Sequence, residues 1–288
     1  MAGTALLAVA VSAGVAEAAP AGGSAGARVA WRPHVRSAIA YARHRRGDIS
    51  FAVRSDGRVY GYRPQRTAPS ASVLKAMLLV AYLDRRAVRR RRLGPADRRL
   101  LGPMIRRSDN AAATRVLGIV GEGGLVALAR RVGMRRFRPA APIWGNSRID
   151  AADQTRFFLH IDRYVVHRHR AAAMRLLASV IPRQRWGIAR VVPRGWRIYF
   201  KGGWGSGTGA VDNQVALLRR GHQRVAVAIL TTADGSHAYG KATLRAIARR
   251  LLRGLARAPR GRGRRPGPGP GTAPGSSPGP AMEIGRGH

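Results

Sequence analysis

Strand-like segments occur in this chain in two clusters, separated by a long stretch with helical pattern. ISFAVRSDGRVYGYRP, residues 49–64, reads as two strands about the Asp56-Gly57 turn. WRIYFKGGW, AVDNQVALLRR and RVAVAILTTA, at residues 196–204, 210–220 and 224–233, supply three more strands. Residues 34–46 suggest a helix ahead of the first cluster, and HAYGKATLRAIARRLLRGLA, residues 237–256, is an amphipathic helix after the second. Between the clusters, residues 72–181 follow a helical period broken near Gly94, near Arg107 and over 139–146. This order predicts an α/β fold of the α+β type: one antiparallel sheet built from both chain ends, flanked by helices, with an all-helical block inserted.

At 288 residues and 45% hydrophobic, the chain can bury one sizeable core. Residues 5–16, ALLAVAVSAGVA, are apolar but too short to span a bilayer, and A-E-A at 16–18 fits a signal-peptidase site, so residues 1–18 read as a secretory signal. Residues 19–32 then read as a disordered linker, 33–257 as the folded domain, and 258–288 as a disordered tail too rich in Pro, Gly and Arg to repay the entropy of ordering. The expected product is secreted, associated with the cell wall, monomeric and without a transmembrane segment. The formal charge of +40 implies anionic surroundings, among which nucleic acid, acidic lipid and anionic wall polymer all qualify. No helix-turn-helix, RNA-recognition or zinc pattern points to specific nucleic-acid binding. With no cysteine, thiol catalysis and Cys-based metal sites are excluded.

Three short motifs carry chemistry. Ser72-Val73-Leu74-Lys75 opens a helix, and at i and i+3 its hydroxyl and amine share a face. A serine becomes a competent nucleophile only when a base takes its proton, and a lysine serves if burial or a nearby cation lowers its pKa. Ser108-Asp109-Asn110 precedes the helical AAATRVLGIV, where all three residue types also suit an ordinary N-cap. Lys201-Gly202-Gly203 ends the strand-like WRIYF. Only three of the 53 basic residues are lysine, Lys75, Lys201 and Lys241, and two of them fall in these motifs. Arginine cannot act as a base, so lysine at position 75 is chemically apt.

In this order the motifs resemble S-x-x-K, S-D-N and K-T-G of the penicillin-recognising serine enzymes, the class A β-lactamases and D,D-peptidases. The resemblance spans about residues 33–255 and implies a serine hydrolase that acylates Ser72 with a β-lactam or a D-Ala-terminated peptidoglycan peptide, with no metal or cofactor. It makes Lys75 the base, has Ser108 pass a proton to the leaving nitrogen, and has Asn110 orient the substrate amide and Lys75. It places Lys201, Gly202, Gly203 and Trp204 along the substrate, with Lys201 holding a carboxylate, and forms an oxyanion hole from the N–H groups of Ser72 and Trp204.

The chain departs from that pattern in three places. Gly202 stands where the family has threonine. The spacing from Ser72 to Ser108 is short for class A. The segment that should hold the deacylating glutamate reads PIWGNSRIDAADQ, and the glutamates of the chain are Glu17, Glu122 and Glu283. Asp150 and Asp153 are conceivable replacements, but I-D-A-A-D ahead of an apolar run reads as a helix start capped by its aspartates. Ser236 reads as another N-cap. His160, His167 and His169 read as surface residues, Trp144, Trp186 and Trp196 as core or loop anchors, and Trp204 as a wall of the cleft. The run RRAVRRRRL reads as a solvated face. Two rival readings are a catalytically weak wall-binding relative and a polyanion-binding protein.

Overall fold

The computed structural model describes residues 31–205 and 210–257. The signal segment, most of the linker, the tail and residues 206–209 lie outside the described residues. In chain order the elements are α1 (Val35–Arg43), β1 (Asp48–Ser55), β2 (Arg58–Tyr62), β3 (Ala68–Pro69), α2 (Leu74–Asp84), α3 (Arg86–Arg89), α4 (Pro95–Arg106), α5 (Asn110–Val132), β4 (Arg148–Ile149), α6 (Ala151–Leu159), α7 (His167–Ala178), β5 (Arg197–Gly205), β6 (Val211–Arg220), β7 (Gln223–Thr232) and α8 (His237–Leu251). The sheet has the order β2-β1-β7-β6-β5 and is antiparallel throughout, so β1 from one chain end pairs with β7 from the other, Asp48 opposite Thr232 and Arg54 opposite Ala226.

Both faces of the sheet are covered, and the period-2 alternation of β7 assigns its side chains to two cores. Ala226, Ala228 and Leu230 join the core shared with the helical block, while Val225, Val227 and Ile229 face α1 and α8. This explains why the strand reads as a nearly continuous apolar run. At the centre of the helical block, α2 is buried from Leu74 through Leu83. A helix apolar on every side must be surrounded, and this one carries Lys75 into the interior. The 23-residue α5 is apolar enough to span a membrane by composition, yet Gly121, at φ +71°, divides it into two arms. Each arm is shorter than the roughly 20 residues a span needs, and Glu122 opens the second arm.

Several local readings have definite outcomes. Asp150 caps α6 by accepting from Asp153 N at 2.7 Å, and Ser236 caps α8 by accepting from Tyr239 N at 3.2 Å. Trp186 and Trp196 are buried in the α1/α8 core, as anchors. His169, expected on the surface, is instead buried, with Nε2 3.0 Å from Val88 O, because α7 packs that side of its turn onto the start of the block. Trp31, placed by its sequence context in the linker, donates from Nε1 to Arg253 O at 2.9 Å.

The arginines of the basic run before α4 are exposed, Val88 within the run is buried in the core, and Arg91 reaches a buried carboxylate. Asp97, buried, takes two hydrogen bonds from Arg91 at 2.5 and 2.9 Å, one from Tyr82 Oη at 2.6 Å and one from Gly94 N at 2.7 Å. The Arg91 bonds are the largest influence holding this carboxyl well below the usual carboxylate range, against the opposing effect of burial. Because its folded pKa is depressed, its contribution to stability is complete above the unfolded carboxylate pKa of about 4 and declines as pH falls below it. Asp97→Ala leaves the Tyr82 hydroxyl and the Gly94 amide without their acceptor, and should cost about 2–3 kcal/mol in urea unfolding at pH 7, and much less near pH 2.

Candidate active site

Ser72 lies on a single 3-10 turn, Ala71–Val73, which runs directly into α2. The expectation of an α-helical start is therefore modified, although Val73 and Leu74 keep right-handed helical angles and the path is continuous. The turn is held from outside. Ser70 N donates to Ser147 O at 2.7 Å, Asn213 Nδ2 donates to Pro69 O at 2.7 Å, and the two-residue ladder β3-β4 joins the preceding residues to those leading into α6. Ala71 sits at φ +43°, a left-handed angle costing a residue with a Cβ about 1–3 kcal/mol, which surrounding contacts must offset. Ser72 is 9% exposed, and its Oγ has no hydrogen-bond partner among the described residues.

Lys75, fully buried, reaches across to the turn before α5. Its Nζ lies 2.5 Å from Ser108 O, 2.7 Å from Asn110 Oδ1 and 3.2 Å from Ser108 Oγ. The expected contact with Ser72 Oγ is not among these bonds. Asp109 is the N-cap of α5, accepting from Ala112 N at 2.8 Å, so the middle residue of the triplet does the ordinary work of a helix start while its neighbours turn to the lysine. Ser108 takes a left-handed φ of +59° to do so. From the sheet side Lys201, also fully buried, donates to Ser108 Oγ at 2.9 Å and to Gly202 O at 2.8 Å. Burial pushes Lys75 down to about 7, partly opposed by Asp109, and burial together with the Lys75 charge pushes Lys201 well below its ordinary value. An amine that loses its proton near neutrality can accept one from a hydroxyl. Asn110 is exposed, and its amide nitrogen, without a partner among the described residues, remains for a ligand.

The end of β5 approaches this turn too closely for a side chain. A Cβ at Gly203 would lie 2.6 Å from Ser72 N, 2.8 Å from Val73 N and 3.0 Å from Ser70 O, so the backbones at Gly203 and Ser72 meet only because residue 203 is glycine. Behind the neighbouring residue, a Cβ at Gly202 would meet the Trp186 ring at 3.2 and 3.3 Å. That indole is fixed through its backbone by Gln214 of β6, whose Nε2 donates to Trp186 O at 2.7 Å and whose Oε1 accepts from Ile188 N at 2.6 Å. Trp204, 37% exposed, stacks on His237 with centroids 5.4 Å apart, and Trp186 meets both rings edge-on. His237 Nδ1 is 2.6 Å from Asp212 Oδ1. Burial and the adjacent Asp234 carboxyl push Asp212 up to about 8, while burial pushes His237 down. Sequence patterns did not single out Trp186, Asp212, Asp234 or His237 as parts of this wall, since each is an unremarkable residue in its own segment.

Sequence comparison identifies the family. The profile of the beta-lactamase enzyme family matches residues 97–255, more than half of the chain. The chain belongs to this family. The matched region contains Ser108, Asn110 and Lys201, whereas Ser72 and Lys75 precede it. Among solved structures, the fold is similar to an ancestral (GNCA) class A β-lactamase at TM-score 0.66 and 19% identity, covering 76% of this chain and 98% of that one. It is similar to a β-lactamase from Sphaerobacter thermophilus at TM-score 0.66 and 21% identity, covering 79% and 98%, and to one from Xanthomonas campestris at 0.65 and 18%, covering 76% and 96%. A search of curated proteins gives no match. The protein is an enzyme of the β-lactamase family with the fold of the class A β-lactamases.

Within this β-lactamase family fold, two departures anticipated from the sequence have a structural counterpart. At Gly202 the volume a threonine side chain needs is taken by Trp186. In the region without the expected glutamate, Trp144 places its ring 5.1 Å from Lys75 Nζ and is fixed by donating from Nε1 to Thr114 Oγ1 at 3.1 Å. Neither aspartate of that segment turns toward Lys75: Asp150 caps α6, and Asp153 Oδ2 accepts from Arg135 N and Arg136 N at 2.7 and 2.9 Å. Glu122, the glutamate among the described residues, is exposed on α5. The Gly202 contact is testable by a double-mutant cycle in urea unfolding. Gly202→Thr should cost about 1–3 kcal/mol by overpacking, and about 0.5 kcal/mol or less when made in the Trp186→Ala background.

Proposed function

We propose that this serine hydrolase forms a Ser72 acyl-enzyme with β-lactams or D-Ala-terminated wall peptides and releases the acyl group slowly. The observation that supports acylation is the convergence of Lys75, Ser108 and Lys201 on shared hydrogen bonds beside an unpartnered Ser72 Oγ. In this reading Ser72 Oγ bonds to the substrate carbonyl carbon as its proton passes to neutral Lys75 Nζ. The carbonyl oxygen takes its charge between the N–H groups of Ser72 and Trp204, which the close approach at Gly203 brings together. The C–N bond then breaks, and the leaving nitrogen receives a proton from Ser108, which is replenished from Lys75. Lys201 polarises Ser108 by donating to its Oγ, and burial holds Lys75 toward its neutral form. Asn110 orients the substrate amide.

Slow release is supported by the surroundings of the amine. Deacylation needs a base on the attacking water, and beside Lys75 the chain supplies the face of Trp144, while the carboxylate that acts on the amine, Asp109, is engaged as the cap of α5. A positioned general base contributes about 10²–10⁴-fold, so its loss should raise the deacylation barrier by roughly 3–5 kcal/mol while leaving acylation intact. The loss of a hydroxyl at Gly202, with Trp186 and Trp204 in its place, supports a substrate subsite more apolar than one built around threonine. Secretion, supported by the apolar run and A-E-A at the start of the sequence, would bring the enzyme to wall peptides. The basic surface supports retention on anionic wall polymer.

Intact-protein mass after incubation with a penicillin should show one stoichiometric adduct, absent in Ser72→Ala and retained in Ser70→Ala. A chromogenic cephalosporin should give a burst of one equivalent followed by slow turnover. Because acylation requires neutral Lys75, its rate should fall about tenfold per unit as pH drops below about 7 and level off above it. Rapid steady turnover with no accumulating adduct would refute the slow-release reading, and an adduct that survives Ser72→Ala would refute the nucleophile.

A further inference from the structure

At the opposite end of the sheet from Ser72, the chain concentrates positive charge around a cleft of about 560 Å³ between the β1-β2 turn, the C-terminal end of α6 and the start of β7. Arg54, Arg156, Arg224 and His160 line it. Three of the buried nitrogens on these side chains, Arg54 Nε, Arg156 Nε and His160 Nδ1, have no hydrogen-bond partner among the described residues. Buried donors are nearly always paired, and an unpaired guanidinium N–H out of water is especially costly. Two unpaired guanidinium donors in one cleft, with an unpartnered imidazole nitrogen beside them, mark a missing partner.

The charges in the cleft are also unbalanced. Arg224 is satisfied, through Leu159 O at 2.8 Å and Asp162 at 2.5 and 3.1 Å, and it consumes the Asp162 carboxylate in doing so. The lining carboxylate, Asp56, accepts from Ser55 Oγ at 3.1 Å, and the nearby Asp153 accepts two backbone amides on Oδ2 while its charge still acts on Arg54. Arg54 and Arg156 therefore face one another with Asp153 as the one carboxylate that offsets the Arg54 charge. Burial and then the Arg156 charge lower the pKa of Arg54, with Asp153 and Tyr164 opposing, and burial followed by the charges of Arg163, Arg224 and Arg54 lowers that of His160, with Asp162 opposing.

We infer that this cleft binds a phosphate group, either as free inorganic phosphate or as a phosphodiester of an anionic polymer, with Arg54 and Arg156 supplying the N–H donors and His160 a third contact. A tetrahedral oxyanion provides several acceptors around one centre, offers a guanidinium its preferred two-point partner and neutralises the facing arginines. The site is separate from acylation chemistry. From Arg224 to Thr231, the β7 residue paired with Asp212 beneath the aromatic wall, the strand runs roughly 24 Å at about 3.4 Å per residue. It would hold the enzyme on a phosphate-bearing surface, or stabilise it there, without occupying the Ser72 cleft.

The test uses the full chain and two probes, sodium phosphate and poly(glycerol phosphate), in calorimetric titrations at constant ionic strength. Sodium phosphate should bind saturably with one equivalent, and Arg54→Gln and Arg156→Gln should each weaken it by about tenfold or more, whereas Arg99→Gln on exposed α4 should not. Tighter binding of the polymer than of phosphate, lost in the same two variants, identifies the polymer as the source, and equal binding identifies free phosphate. In the absence of phosphate, Arg54→Gln should raise the thermal midpoint, because it relieves facing charges, and should leave the acylation rate unchanged. By NMR the His160 pKa should rise on adding phosphate, since a bound anion favours imidazolium. Non-saturable binding, or binding equally weakened by Arg99→Gln, overturns the assignment in favour of diffuse charge. An unchanged His160 titration in the phosphate-saturated protein also overturns it.

Discussion

Ser108 Oγ lies 3.2 Å from Lys75 Nζ and 2.9 Å from Lys201 Nζ, and neither amine has access to solvent. Two ammonium groups around one hydroxyl in a medium of low dielectric repel strongly, so at least one gives up its proton well below its usual pKa. Much of the local architecture maintains this conflict. The lysines arrive from α2 and β5, the hydroxyl comes from the turn before α5, and these three parts of the chain are distant in sequence. The left-handed backbone at Ser108 and the cap at Asp109 fix the hydroxyl between them. The burial of α2 on every side keeps Lys75 from escaping to water.

The close approach of β5 to the 3-10 turn works alongside this electrostatic arrangement. Gly203 permits backbone contact with Ser72, and the strained angle at Ala71 is held by bonds from Ser70 and Asn213. Around that contact the cleft is unusually aromatic, with Trp186, Trp204 and His237 on one side and Trp144 on the other. Aromatic rings exclude water and position apolar ligand surface, but they cannot take a proton from water. In the proposed function these rings stand where a base for ester hydrolysis would be needed.

Arginine excess shapes the rest of the molecule. With 13 acidic residues for 53 basic ones, most arginines cannot find a carboxylate, and many bond to backbone carbonyl oxygens instead, as Arg98 does to Leu93 and Arg170 to Asp162. On the surface such charges are hydrated and inexpensive. In the cleft lined by Arg54 and Arg156, burial removes the water and leaves donors without acceptors. The same composition is therefore neutral in one place and poised for an anion in another, and burial makes the difference.

The sheet built from both chain ends, the inserted helical block and the helix caps at Asp150 and Ser236 were legible in the sequence, because alternation, helical period and capping chemistry act over a few neighbouring residues. The pairing of Lys75 with Ser108 and Lys201 was also foreshadowed, since lysine is so scarce in this chain that its placement stands out. Other features had no local signal. These include the two-residue ladder behind Ser72, the Trp186 ring against Gly202, the Trp144 face over Lys75, the Asp212, Asp234 and His237 wall, and the burial of His169. Each depends on residues far apart in the chain meeting at a separation of a few ångströms. The sequence determined which elements form and which groups could do chemistry. Tertiary packing decided which of those groups lose water and meet, and desolvation of that kind is what turns a lysine into a base and an arginine cluster into an anion site.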